Sequence, residues 1–269
     1  MIVTVFFLCL AAGAYYYWRQ SKVYVPETVP TEIDSTQLQD YGLLITDDAL
    51  KLARVNSFIS PSSSPFFSPF STAIRNSESV MSNSLNLRMP FYSQAPFGNW
   101  SLPWQEACEE ASSLLVANVY QHKNWSREEF NQEILKIVDW EKQNFGAYEH
   151  TDVNQTVSML DEYLDLKSIV HTNPTFEEVK KILNQGHFII MPLAGKQLKN
   201  PFYSNGGPIY HMLVVKGYKE NKLITHDVGT KNGENYVYSW EVVKNALHDY
   251  AEPIERGSKR IIEVLPPNS

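Results

Sequence analysis

The segment IYHMLVVKGYKENKLITHDV, residues 209–228, has two runs of mainly apolar, strand-forming residues on either side of the polar residues 219–221. Two such runs joined by a short polar segment predict a β-hairpin, whose strands lie side by side and antiparallel. The hairpin brings His211, in the first strand, close to His226 and Asp227, at the end of the second. The segment therefore predicts an antiparallel sheet that carries groups able to transfer protons.

The residues around this hairpin predict helices before it and more strands beside it. Ser126 followed by Glu129, and Thr175 followed by Glu178, are capping boxes that each begin a helix. The predicted helices cover residues 105–120, a stretch that starts at 126, 152–164, 175–186 and 239–247, and the further strands cover 187–193, 236–238 and 260–264. Helices that precede an antiparallel sheet define an α+β domain, with N-terminal helices packed on that sheet.

The composition excludes several classes of function. Of the 269 residues, 43% are hydrophobic, which is typical of a folded globular chain. The formal net charge is −7 and no dense run of Lys and Arg is present, so nucleic acid is not expected as a partner. The 7 histidines lack the spacing of metal ligands, and Gly206-Gly207 is not followed by the helix of a phosphate-binding loop. We therefore expect no metal and no cofactor.

The N-terminal part of the chain has a different composition. Residues 2–18 contain no charge and are followed by Arg19 and Lys22, which predicts a single membrane anchor over residues 1–22. A cleaved signal sequence is the alternative, but no Lys or Arg precedes the apolar run. We expect single-pass membrane attachment through residues 1–18 and a folded domain outside the cytoplasm, although the two cations favour the opposite orientation.

Residues 23–86 are predicted to form an extension that ends in a Ser/Pro-rich linker. Eleven serines and three prolines lie in residues 57–86, a composition with too little apolar surface to offset the entropy lost on ordering. We expect this linker to act as a mobile spacer between the anchor and the folded domain, which we assign to residues 87–266.

Cys108, His211 and Asp227 form the candidate catalytic group. We expect no disulfide between Cys108 and Cys9, because one lies in a helix-like stretch and the other in the apolar N-terminal run. Cys108 lies at the start of the first predicted helix, where unpaired backbone N–H groups stabilise a thiolate. The two acids that follow Cys108 oppose thiolate formation, so activation requires a nearby imidazole such as that of His211.

Three segments carry motifs in an order that identifies a family. They read MPFYSQAPFGNWSLPWQEACEEASSLL (89–115), NPFYSNGGPIYHMLVVKGY (200–218) and HDVGTKNGENYVYSW (226–240). Together they resemble the C-39-like papain-type cysteine peptidases of bacteria, which are relatives of the domain that trims double-glycine leaders from bacteriocins. The resemblance covers residues 88–265 and implies a papain-like cysteine peptidase fold. It also implies that Cys108 is the nucleophile, His211 the general base and Asp227 the residue that orients the imidazole.

The resemblance further implies a glutamine upstream of the nucleophile, whose side-chain amide contributes to an oxyanion hole. Gln105, three residues before Cys108, is favoured, and Gln94, fourteen residues before it, is the alternative. In the leader-trimming relatives the nucleophile is followed by glycine, whereas Cys108 is followed by Glu109 and Glu110. This departure favours a different substrate preference.

Two functions are consistent with these residues. The first is a membrane-tethered thiol hydrolase that cleaves peptide bonds by a Cys-His-Asp mechanism, with a peptide or protein substrate such as a cell-wall peptide. The alternative is a catalytically inactive papain-like module for binding or adhesion at the cell surface, which the two acids beside Cys108 favour. Labelling of Cys108 by a thiol reagent at neutral pH is expected to be rapid only for the first.

The turn of the hairpin leaves open which side chain orients His211. A two-residue turn at 220–221 with an unbroken register places His226 on the face of His211, and a three-residue turn at 219–221 places Asp227 there. A bulge farther along the second strand changes the register again. The chemistry favours Asp227, because a carboxylate stabilises the imidazolium and a second histidine does not.

Overall fold

The computed structural model of the chain describes residues 26–38 and 83–267. The predicted anchor and most of the predicted Ser/Pro-rich linker lie outside these residues. Across the two described ranges, every helix is too short or too polar to span a bilayer.

The described residues form an α+β domain, as predicted. The helices are α1 (Cys108–Tyr120), α2 (Arg127–Asn144), α3 (Val153–Ser158), α4 (Phe176–Asn184), α5 (Gly195–Leu198) and α6 (Trp240–Ala246). The strands are β1 (Ser84–Asn86), β2 (Ser168–Thr172), β3 (Phe188–Leu193), β4 (His211–Lys219), β5 (Lys222–His226), β6 (Tyr236–Ser239) and β7 (Arg260–Val264). Short 3-10 turns occupy Ser35–Gln37, Trp104–Glu106, Ser204–Gly206 and Ile254–Arg256, and a π-helical turn, Met159–Tyr163, continues α3.

The seven strands form one sheet in the order β2-β7-β3-β4-β5-β6, and β1 pairs with the C-terminal part of β4. All of the pairings are antiparallel. Strands β1 and β2 were not predicted from the sequence. The first has only three residues at the end of a serine-rich stretch, and the second is a short strand with no fully buried face, so neither carries a clear periodic signal.

The predicted caps begin the helices as expected. Ser126 and Thr175 each accept a hydrogen bond from the backbone N–H three residues later, while Glu129 and Glu178 bond back to the cap residue. The first helix begins three residues later than predicted, because a separate 3-10 turn precedes it and Ala107 has a non-helical backbone. Consequently Cys108 is the first residue of α1, a helix that packs on β3 and β4 and in which only Val119 is not buried.

Residues 26–38, which we call the N-terminal segment, lie on this domain. Ile33 pairs with Leu87, Leu38 is 1% exposed in the core, and Glu32 forms an ion pair with the buried ammonium of Lys216. Glu27 accepts two hydrogen bonds of 2.8 Å from Lys222. This part of the chain therefore contributes to the fold of the domain.

Candidate active site

Cys108 lies at the base of a cleft of about 830 Å³. Most of the residues that line the cleft belong to three stretches of the chain, 94–108, 202–211 and 229–232. The Cys108 thiol is 3.0 Å from Glu109 Oε2, to which it donates a hydrogen bond, and Sγ accepts one of 3.3 Å from the Met212 N–H. The helix start and strand β4 thus fix the position of the sulfur.

The environment of Cys108 favours the neutral thiol. Burial raises the pKa of Cys108 well above its ordinary value, and the negative charge and hydrogen bond of Glu109 raise it further. The hydrogen bond from the Met212 N–H lowers the pKa of Cys108, but by less than burial and Glu109 raise it. Desolvation therefore opposes the effect of the helix start on the thiol.

His211 and Asp227 form a buried pair. The distance from His211 Nε2 to Asp227 Oδ1 is 2.9 Å, and the two side chains are 1% and 0% exposed. Because an ionised carboxylate only accepts hydrogen bonds, Nε2 carries the hydrogen and Nδ1 is left as an acceptor. The edge of the Tyr203 ring packs against the imidazole, with ring centres 5.6 Å apart.

A bulge in β4 brings Asp227 to the face of His211. The turn has two residues, with Lys219 paired to Lys222, but the register shifts by one between Val215 and Gly217, so that Val214 pairs with residue 226. Continued to the start of β4, this register puts Asp227 on the same face of the sheet as His211. From the sequence, a bulge near Gly229 beyond the second strand was one way to change the register; the structure has the bulge in the first strand instead.

His226 faces away from this pair and has a structural role. Its Nε2 donates to Met89 O at 3.1 Å, and its Nδ1 accepts from the Asn235 N–H at 3.2 Å. These partners fix the neutral imidazole, and burial together with the nearby charge of Lys216 lowers the pKa of His226 to about 3. His226 is therefore uncharged at neutral pH.

Asp227 accepts hydrogen bonds from five groups. Burial alone would raise the pKa of Asp227, but the charge and hydrogen bond of His211 and the hydroxyls of Tyr203 and Tyr238 bring it below its ordinary value. The donors to Oδ1 are His211 Nε2 and Gly229 N, and those to Oδ2 are Asn200 Nδ2, Tyr203 Oη and Tyr238 Oη. The three side-chain donors to Oδ2 were not predicted from the sequence, although all of them lie in the segments that carry the family motifs.

Cys108 and His211 line the same cleft. In the part of the chain that the structure describes, no hydrogen bond joins the Cys108 thiol to the imidazole, because the thiol donates to Glu109 instead. The structure thus places Cys108 and His211 at one cleft, with Asp227 buried behind it in direct contact with His211 and with the thiol directed to Glu109.

The two candidate glutamines differ in their contacts. Gln94 is 3% exposed, and its Nε2 donates hydrogen bonds of 2.9 Å to the carbonyls of Trp104 and Gln105. Both of its N–H groups therefore hold the 3-10 turn that precedes Cys108. Gln105 is exposed, lines the cleft and donates a longer hydrogen bond of 3.2 Å to Glu106.

Three acidic side chains are buried behind the thiol. Burial raises the pKa of Glu109 to about 8 and that of Glu141 to about 7, and it raises the pKa of Glu110 well above the ordinary range. Thr151 donates a hydrogen bond of 2.9 Å to Glu141. Among the described residues, no group of three or more His, Cys, Asp or Glu is arranged to hold a metal ion.

A cysteine at a helix start, beside a buried histidine–carboxylate pair in one cleft of an α+β domain, is the arrangement of papain-type cysteine hydrolases. Residues 86–252 match the Peptidase_C39 like family. The chain belongs to this family and is a cysteine peptidase.

A search of solved structures finds a Bacillus anthracis protein, proposed to be a C39-like peptidase, whose crystal structure is similar to this chain. The sequences are 14% identical, the TM-score is 0.44, and the alignment covers 65% of this chain and 94% of that chain. Comparison with curated proteins finds no match.

Proposed function

We propose that this protein is a membrane-tethered thiol peptidase that uses Cys108, His211 and Asp227 to cleave peptide bonds. The observation that carries the proposal is the buried His211–Asp227 pair, with a distance of 2.9 Å, at the cleft that also contains Cys108. The peptidase family implies a peptide or protein substrate. Cell-wall peptides outside the cytoplasm are the substrates that fit an anchored domain.

The proposed reaction begins when the thiol turns toward His211. Nδ1 of His211 takes the thiol proton, and the sulfur attacks the carbonyl carbon of the scissile bond. His211 then gives this proton to the leaving amine, so that an acyl-enzyme remains. A water molecule that has lost a proton to His211 hydrolyses the thioester, and the returning proton restores the thiol. Asp227 keeps the imidazole oriented and stabilises its charged form throughout.

The oxyanion of the tetrahedral intermediate requires hydrogen-bond donors near Cys108. The first N–H groups of a helix have no partner within the helix, so the start of α1 provides backbone donors. Gln105 is the favoured side-chain donor, because it is exposed in the cleft whereas both N–H groups of Gln94 are occupied.

A non-catalytic binding module is the second candidate. The contact that favours it is the hydrogen bond from Cys108 to Glu109, since a thiol with a raised pKa is a poor nucleophile. The two candidates differ in whether any peptide is cleaved.

Digestion of a peptide library by the purified protein tests the proposal. Wild type should cleave a subset of the library, and Cys108→Ala should lower turnover by about a thousandfold or more, because the nucleophile is lost. Ser113→Ala is the matched control, since it removes one atom from a buried side chain of the same helix whose hydroxyl has no partner among the described residues. Turnover retained by the Cys108 variant would show that the nucleophile is wrong. A folded wild type that cleaves nothing would favour the binding module.

A further inference from the structure

The contact between Cys108 and Glu109 determines which acceptor the thiol bonds to before the reaction begins. Glu109 is 1% exposed, and its Oε2 lies 3.0 Å from the sulfur. A thiol has one hydrogen to donate, so it cannot donate to this carboxyl group and to the His211 imidazole at the same time.

The other groups around the thiol do not supply a positive charge that would favour a thiolate. The titratable groups that interact with Cys108 or Glu109 are Glu106 in the preceding turn, Glu110 in α1, Glu141 in α2 and Tyr210 before β4, which are acids or a neutral phenol. The basic side chains that line the cleft are His150, Lys196, His211 and Lys231. Among the described residues, none of these four is hydrogen-bonded to the thiol, whose side-chain partner is Glu109.

We propose that Glu109 is a positioning residue that holds Cys108 as a resting thiol, turned away from His211. The proposal rests on the peptidase function given above. Peptide binding must separate the thiol from Glu109 before the reaction can begin. The S–H···O hydrogen bond then breaks, the side chain rotates about its Cα–Cβ bond, and the proton passes to Nδ1 of His211. Glu109 neither gains nor loses a proton in this step.

Two variants separate the hydrogen bond from the charge. Glu109→Met removes both the acceptor and the charge at similar size, whereas Glu109→Gln removes the charge and keeps an acceptor. Glu110→Met is the matched control, because Glu110 is equally buried and adjacent but makes no hydrogen bond with the thiol. The measurement is the rate at which iodoacetamide labels Cys108 between pH 6 and pH 10, read from the Cys108 peptide by mass spectrometry.

We expect Glu109→Met to label about tenfold faster than wild type below about pH 8, which corresponds to a fall of about one unit in the apparent pKa of the thiol, and by a larger factor above it, where the wild-type charge is also removed. Glu109→Gln should match wild type at low pH and exceed it above about pH 8, where Glu109 ionises in the wild type. The Glu110 variant should stay within about twofold of wild type. This dependence on pH would not arise from a general loosening of the fold.

Labelling of Glu109→Met at or below the wild-type rate would overturn the proposal, and a slower rate would indicate that Glu109 itself removes the thiol proton. If the Met variant does not fold, the Gln variant and the wild-type profile remain decisive. A wild-type apparent pKa below the ordinary cysteine value of about 8.5 would also contradict the proposal. The labelling does not depend on turnover, so a failure of the peptidase proposal, seen in the library digest, is distinguishable from a failure of this one.

Discussion

Asp227 is the most strongly constrained side chain of the candidate site. Five groups donate hydrogen bonds to its carboxylate, and four of them are side chains that come from separate parts of the chain. Moving the carboxylate would leave buried polar groups without hydrogen bonds, which costs free energy, so the network fixes the carboxylate in one position. The imidazole of His211 is fixed in turn, which leaves the Cys108 side chain as the part that moves.

We predict that Asp227→Asn lowers turnover at least about tenfold, a loss of roughly 1.4 kcal/mol of transition-state stabilisation, because an amide cannot balance the imidazolium charge. His226→Gln is the control, since glutamine can still donate to the Met89 carbonyl from the opposite face of the strand. Its turnover should stay close to wild type. Steady-state kinetics of both purified variants make the comparison, and the reverse order would mean that His226 orients the imidazole.

The sequence motifs predicted that Cys108, His211 and Asp227 form one site, but they could not predict whether the thiol is protonated. Burial decides the pKa of Cys108, and burial depends on how α1 packs on the sheet. Asn200, Tyr203 and Tyr238 were missed for a similar reason. Nothing local in the sequence distinguishes a tyrosine that bonds a buried carboxylate from one that only fills space.

The register of the β4–β5 hairpin could not be predicted from the pattern of apolar and polar residues in its strands. Turn chemistry left a two-residue and a three-residue turn open. The structure has the two-residue turn, yet the bulge at Lys216 reverses its consequence for His211. Gly217 is required beside the bulge, because a side chain there would come within 2.2 Å of the Leu85 carbonyl of β1. Strand β1 was not predicted, so the reason for this glycine could not be read from the sequence.

The Glu263 side chain links β7 to its two neighbours in the sheet, β2 and β3. It lies in β7 and accepts hydrogen bonds from His171 in β2, at 2.6 Å, and from His187 next to β3, at 2.5 Å. Burial acts to raise the pKa of Glu263, but the two histidines outweigh it and the pKa is lowered. A lowered carboxyl pKa stabilises the fold at pH values above the ordinary carboxyl pKa, and this contribution is lost as the pH falls below it.

We therefore predict that Glu263→Gln lowers the free energy of unfolding at pH 7 by about 1–2 kcal/mol, which is a fall of about 2–8 °C in Tm. The difference should shrink as the pH falls below the ordinary carboxyl pKa of about 4.3, and it should vanish once the carboxylate of the folded wild type is protonated as well. Glu255→Gln, at an exposed position, is the control for the change in net charge. A deficit that is the same at all pH values would rule out the electrostatic explanation.

At the scale of the whole molecule, the N-terminal segment changes the expected distance between the predicted anchor and the domain. Glu32 and Lys216 are 184 residues apart in sequence, so no local pattern could predict their ion pair. Pro26 follows the predicted anchor by only three residues, which span at most about 10 Å. If residues 1–22 are in a membrane, the domain is held next to it by the N-terminal segment and not at the end of a long spacer.

The last prediction tests both the anchor and this mode of attachment. The intact chain should stay with membranes after carbonate extraction, and a chain that lacks residues 1–22 should not. Cleavage at a protease site inserted within residues 57–82 should leave the domain on the membrane, because Leu38 in the core and the Glu32–Lys216 pair still hold it.

The matched control combines Leu38→Ala with Glu32→Gln, which removes these contacts and should release the domain after the same cut. Release of the uncut full-length chain by carbonate would contradict the anchor. Release of the cut wild-type domain, together with a retained N-terminal fragment, would instead show that the linker is the attachment and that residues 26–38 hold the domain too weakly. The two results therefore separate a domain docked directly at the bilayer from a domain on a tether.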